Sequence, residues 1–222
     1  MNDIAANINF LKSQIPEGVT VVAVSKTKPS GDILEAYSAG HRIFGENRVQ
    51  ELLSKKDLLP ADIQWHLIGH LQSNKVKFIV PFIRLIHSVD SLKLLKVIDT
   101  ESAKVQRVSD CLLQFHIAEE ETKFGFSPGE AESMLGSEEF ARLKNVRICG
   151  VMGMATFTED ENQVRKEFRF LKECYLKLKI DYFHDYEWFK EISMGMSGDF
   201  RIAIEEGSTM IRTGSIIFGN RN

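Results

Sequence analysis

Apolar positions along this chain recur with two periods that take turns, one helical and one extended. Residues 3–14 carry Ile4, Ile8 and Leu11 at helical spacing and read as a short amphipathic helix. Next comes Val21-Val22-Ala23-Val24-Ser25-Lys26-Thr27-Lys28-Pro29, where small and β-favouring apolar residues run into a lysine and a proline closes the segment. A short apolar run bounded by turn signals reads as a strand buried on both faces. Ser30 then predicts the cap of a helix carrying Ile33, Leu34 and Tyr37, which stops at Gly40. Residues 42–46 predict a second strand. Asn47, with Gln50 three residues on, predicts an N-cap and its capping-box acceptor. Further strands are predicted at 63–69, 84–89, 111–117, 147–152, 191–194 and 210–213. The intervening helices start near Ser73, at Asp90 or Ser91, at the Ser127-Pro128-Gly129-Glu130 capping box, at Thr158 and at Ser197. The fourth of them runs to about Lys179 and the fifth ends at Gly207.

Eight strand–helix alternations with short connections place the chain in the α/β class with a parallel sheet. Fitting eight such units into 222 residues predicts a single domain, 1–222, folded as a (β/α)8 TIM-type barrel. An open doubly wound sheet has the same periodicity and stays open as an alternative. Composition adds mainly exclusions. With 28 basic and 31 acidic residues the net charge is −3, so no basic field is available for a nucleic-acid backbone or an anionic membrane. No apolar run approaches the roughly 18 residues of a membrane span. The three cysteines, Cys111, Cys149 and Cys174, form no framework spacing, which together with the lack of a signal peptide predicts a cytoplasmic protein.

In a barrel of this kind the chemistry lies at the C-terminal ends of the strands. Lys26, Asn47, the 66–70 stretch, residues 152–156 and residues 195–197 are all expected there. Alternation along the strand points Lys26 the same way as Val22 and Val24, into apolar surroundings. Desolvation favours the neutral, nucleophilic amine and suits Schiff-base chemistry; a lysine that snorkels to water is the plainer reading. In Met194-Gly195-Met196-Ser197-Gly198-Asp199 a strand end turns through glycines into a predicted helix start. Arg212-Thr213-Gly214-Ser215 does the same on the next strand. Each serine alone reads as an N-cap; two adjacent glycine–serine helix starts suit a phosphate. A lysine and a phosphate cup in one barrel suggest pyridoxal 5′-phosphate. His66 and His70 have a zinc-like spacing, but Leu67 stands at the glutamate position of the H-E-x-x-H motif, which argues against a metal. Lys28, Lys75 and Arg48 are expected to face solvent.

Five ordered segments carry a resemblance over nearly the whole chain: residues 23–29, 44–51, 65–75, 193–199 and 207–221. They resemble the YggS/PROSC family of pyridoxal phosphate homeostasis proteins. The resemblance implies a barrel like the N-terminal domain of alanine racemase, with the cofactor as a Schiff base on Lys26 and Asn47 beside it. It also implies that Ser197, Gly214 and Ser215 hold the phosphate, with Met196 at the same site and Arg212 facing the pyridine nitrogen. Ser215 stands where many members have threonine. The implied role is a carrier without catalytic turnover, a monomer or weak dimer, delivering pyridoxal phosphate to recipient apoenzymes. Two alternatives stand beside it. A racemase-like enzyme needs acid/base groups on both faces of the substrate, which alanine racemases complete from a second domain that no segment before Asn222 supplies. A cofactor-free Schiff-base aldolase needs a second buried acid or lysine near Lys26.

Overall fold

The computed structural model describes residues 3–119 and 124–219. Eight parallel strands close into a barrel in chain order. They are β1 (Thr20–Val24), β2 (Ile43–Glu46), β3 (Gln64–Leu67), β4 (Leu85–Val89), β5 (Ser109–Gln114), β6 (Val146–Met152), β7 (Glu191–Ser193) and β8 (Met210–Thr213). The barrel shuts where Thr20, Val21, Val22 and Ala23 of β1 lie opposite Met210, Ile211, Arg212 and Thr213 of β8. This pairing selects the closed barrel over the open sheet.

The strands are largely buried on both faces, and each face meets a different core. Val22, Leu85, Leu112, Cys149, Met152 and Met210 pack together in the lumen. Alternate residues such as Ala23, Phe44, Trp65, Ile86, Leu113, Ile192 and Ile211 join the layer between strands and helices. Each fully buried aliphatic or aromatic side chain contributes about 1.5–3 kcal/mol before chain entropy is counted. The three cysteines are buried thiols, and burial pushes Cys149 up to about 12 and Cys174 up to about 11.

The helices are α1 (Ile4–Ser13), α2 (Ser30–Ser38), α3 (Val49–Lys56), α4 (Val76–Ile79), α5 (Leu92–Lys104), α6 (Pro128–Leu135), α7 (Glu138–Ala141), α8 (Glu161–Asp181), α9 (Phe200–Glu205) and α10 (Ser215–Phe218). In α1, Asp3 caps by accepting from Ala6 N–H at 2.8 Å, and Ile4, Ile8 and Leu11 are buried. Ser91 caps α5, and Ser127 with Glu130 forms the capping box of α6, both as the sequence predicts.

Four helix starts differ from the sequence reading. Pro29 rather than Ser30 precedes α2. Asn47 does not cap α3: the helix begins two residues later after Arg48, without a side-chain cap. Asp160 rather than Thr158 caps α8, accepting from the N–H groups of Asn162 and Gln163. Ser197 lies outside α9, which opens at Phe200 after Asp199. A 3-10 turn, Ser73–Lys75, leads into α4, and the short α7 has no counterpart in the sequence reading. The two shifts at Asn47 and Ser197 have one consequence. Both side chains are released from helix caps and stay at the mouth of the barrel.

Candidate functional site

A cavity of about 470 Å³ opens at the C-terminal ends of the strands. Lys26, Asn47, Met196, Ser197, Arg212, Gly214 and Ser215, the seven residues singled out from sequence, all stand on its wall. Val24, Lys28, Ile68, the 154–158 loop, Val164, Gly198, Asp199 and Gly219 complete it.

Lys26 sits just past the end of β1, on a turn closed by the Lys28 N–H donating to Ser25 O at 3.0 Å. Thr27 takes the left-handed conformation, with φ of 66°, which is uncommon for a β-branched residue. A cluster of charges holds this turn from behind. Lys55 Nζ donates to Ser25 O at 2.9 Å, to Glu46 Oε1 at 2.8 Å and to Glu51 Oε1 at 2.6 Å. Glu46 Oε1 also accepts from Ser25 Oγ at 2.7 Å, and Glu51 accepts the Thr27 N–H. All three donors of the ammonium are thus used. Burial raises the Glu46 carboxyl, against the pull of Lys55 and Ser25. For Glu51 burial also pushes upward, but the hydrogen bonds from Lys55 and Thr27 outweigh it and the net direction is down. Lys26 itself is half-buried, between the desolvated amine and the snorkelling lysine that the apolar run leaves open.

Arg212 is 4% exposed. Its Nη1 donates to Ser193 Oγ at 2.6 Å and its Nη2 to Gly153 O at 3.0 Å. Burial lowers it to about 10, with Asp199 opposing, so it stays charged at neutral pH.

Two loops face Lys26 across the cavity. Gly195, with φ of 94°, makes the turn after β7; a Cβ there would come within 2.6 Å of Ala203 Cβ. Asp199 then accepts the Met196 N–H and turns the 196–198 segment over the cavity. Ser197 Oγ accepts the Gly214 N–H at 3.4 Å, a long bond between the two loops. The Ser215 N–H, first in α10, has no intrahelical carbonyl to reach and lies at the same wall. Asn47 is positioned by close passage of the next loop: a Cβ on Gly69 would meet Asn47 O at 2.5 Å.

Two sequence expectations are corrected. Lys28 is half-buried on the cavity wall and donates to Phe218 O at 2.9 Å rather than facing solvent. His66 is not at the working rim; it is buried in β3 and lines a second cavity with Thr20 and Gln64, which open their strands at the N-terminal face. Sequence reasoning missed the Glu46–Lys55–Glu51 cluster, although Glu51 and Lys55 are four apart on one helix. No metal-holding group of His, Cys, Asp or Glu is present among the described residues.

Among the described residues, three cations on the wall, Lys26, Lys28 and Arg212, against one carboxylate, Asp199, suit an anionic ligand. A lysine amine, a buried guanidinium and hydroxyl and N–H donors fit an aldehyde-bearing phosphorylated heteroaromatic. The closed barrel and this cavity define a protein of the alanine racemase N-terminal domain class. That family, "Alanine racemase, N-terminal domain", matches residues 1–222. An alanine racemase from Bartonella henselae shares the fold at a TM-score of 0.75 and 17% identity, covering 98% of this chain and 61% of that one. PipY of Synechococcus elongatus, solved with PLP bound, aligns at a TM-score of 0.88 and 36% identity over 97% of this chain and 100% of that one. The chain is 39% identical to the pyridoxal phosphate homeostasis protein of Aquifex aeolicus over 90% of its length and 86% of that protein, and 40% identical to that of Synechocystis sp. over 93% and 94%. The chain belongs to the pyridoxal phosphate homeostasis protein family.

Proposed function

We propose that this protein binds pyridoxal 5′-phosphate, holds it as a Schiff base on Lys26, and helps set the level of the free cofactor without turnover of its own. The observation that carries the reading is the meeting of Lys26, Arg212 and the Ser197–Gly214–Ser215 wall on one cavity. A relative at 36% identity was solved with PLP bound. When bound, the cofactor supplies an electrophilic carbonyl and an electron-withdrawing ring. The chain's own residues do the rest. The Lys55 cluster presents the Lys26 amine to the cavity, and Arg212 offers a fixed donor. Ser197, Ser215 and the backbone N–H groups of Gly214 and Ser215 take the phosphate. Asn47 and Met196 bound the remaining wall.

Absence of turnover is supported by the wall itself. Proton transfer on both faces of a substrate needs two placed acid/base groups. Beyond the lysines, Asp199 is the one carboxylate on the wall among the described residues, and it is engaged with the Met196 N–H. The carrier role extends to recipient apoenzymes that take the cofactor by exchange. Among the described residues no helix is long and apolar enough to cross a membrane.

Borohydride reduction followed by peptide mapping tests the reading. Purified protein loaded with the cofactor should fix the pyridoxyl group on Lys26, and Lys26→Ala should abolish the label. Label found chiefly on Lys28, or turnover of an amino acid at about 1 s⁻¹ or faster, near the lower end of ordinary enzyme rates, would overturn it.

A further inference from the structure

Behind Arg212 a chain of side chains crosses the lumen. Arg212 Nη1 is 2.6 Å from Ser193 Oγ, Ser193 Oγ is 3.0 Å from His87 Nδ1, and His87 Nε2 is 3.0 Å from His66 Nδ1. The four residues come from β8, β7, β4 and β3, and all are buried. They share the lumen with the apolar side chains of Val22, Leu85, Leu112 and Met210. Polar groups in such surroundings are costly unless each finds its partner.

The partners fix the order of donation. A guanidinium only donates, so Ser193 Oγ accepts from Arg212 and has one proton to give. His87 Nδ1 is the acceptor within reach. His87 therefore carries its own proton on Nε2 and donates to His66 Nδ1, which leaves His66 protonated on Nε2. The reverse order would leave the Ser193 proton without an acceptor among the described residues. Burial holds both rings neutral, His66 depressed to about 3 and His87 well below the usual histidine range. Every dipole in the chain then turns its negative end toward the Arg212 charge.

Arg212 has two of its N–H groups committed, to Ser193 and to Gly153, and stands on the cofactor cavity wall with the others. On the reading that pyridoxal phosphate binds here, the aldehyde and its neighbouring ring oxygen go to the Lys26 side and the phosphate to the Ser197–Ser215 side. The acceptor left over is the ring nitrogen, across the ring from the aldehyde. We propose that Ser193 and His87, backed by His66, are positioning residues that hold Arg212 against the ring nitrogen and thereby make the site selective for a ligand carrying an acceptor there.

The test compares pyridoxal phosphate with its 1-deaza analogue, in which a C–H replaces the ring nitrogen. Wild-type protein should prefer pyridoxal phosphate. Ser193→Ala and His87→Leu should weaken pyridoxal phosphate by about tenfold, the size of one impaired charge-assisted hydrogen bond, and scarcely change the analogue, so that the preference collapses. His87→Asn, whose amide oxygen can accept the Ser193 proton, should restore most of it. Thermal unfolding identifies any variant that fails to fold; if His87→Leu does, Ser193→Ala decides alone. Retention of the wild-type preference in Ser193→Ala, or a wild type without preference, would overturn the positioning role while leaving cofactor binding intact. A wild type that takes up neither compound would instead overturn the function on which the inference rests.

Discussion

Ser197 and Ser215 show how one residue type can be read two ways. From sequence both are N-caps or phosphate donors; in the structure neither makes a side-chain cap to the helix beside it. Among the described residues Ser197 accepts a long bond from Gly214 N–H, which a phosphate oxygen can replace with a stronger, charge-assisted one. Each such bond is worth about 1.5–3 kcal/mol. Ser197→Ala or Ser215→Ala should therefore weaken pyridoxal phosphate by about one to two orders of magnitude. The same substitutions should leave unphosphorylated pyridoxal nearly unchanged. Parallel absorbance titrations with the two compounds check this, and equal losses for both would assign the serines a purely structural role. The strand-end positions of Lys26 and Asn47 were legible from local pattern, whereas the roles of Asn47 and Arg212 came only with the family resemblance. His87 and Ser193 were not legible, because nothing near either in the chain signals the other.

The link between β2 and α3 is carried by a buried ion pair. Glu46 is fully buried and Lys55 nearly so, and Glu46 Oε2 has no hydrogen-bond partner among the described residues. Breaking such a pair strands a charge, which typically costs about 3–5 kcal/mol. Lys55→Met should lower the urea midpoint by a corresponding amount, and adding Glu46→Gln should recover a large part of the loss. A fully additive double mutant would show that the pair is not coupled. The same lysine holds Ser25 O, so the single substitution should also slow fixation of the pyridoxyl group at Lys26. The start of α8 lies two residues beyond the one expected. Thr158 was the expected cap, but the Asp160 carboxylate two residues on accepts two first-turn N–H groups, those of Asn162 and Gln163. At Asn47 the chain must instead pass under Gly69, and that tertiary contact overrides the local cap.

The whole molecule places its chemistry at one end of the barrel and an electrostatic strap at the other. Asp110, on β5, accepts from Arg147 Nε at 2.6 Å and also from Arg84, tying the start of β6 and the approach to β4 to the strand between them. Burial raises the Asp110 carboxyl, but the bonds from Arg147 and Arg84 outweigh it, so it titrates below its ordinary 3.8 in the folded state. The depressed value means that its stabilisation is present above about pH 3.8 and is lost as the pH falls through the folded-state value. Because both arginines are partly exposed, Asp110→Asn should cost only about 1–2 kcal/mol at neutral pH after solvent screening. It should also flatten the acid limb of a stability–pH curve below pH 4, while an unchanged acid limb would show that other carboxylates govern it. At this scale the division between sequence and structure is clear in physical terms. Alternating periods, the Ser91 and Ser127 caps and the β1 apolar run are set by neighbours within a few residues, so the sequence alone determined the eight strands, most of the helices and the lysine at a strand end. Closure of β1 on β8, the seating of seven separated residues on one cavity, and the bond between His87 and Ser193, 106 residues apart, depend on which strands pair and how far the barrel staggers them. Those pairings are fixed by burying both strand faces at once, and only the folded barrel decides them.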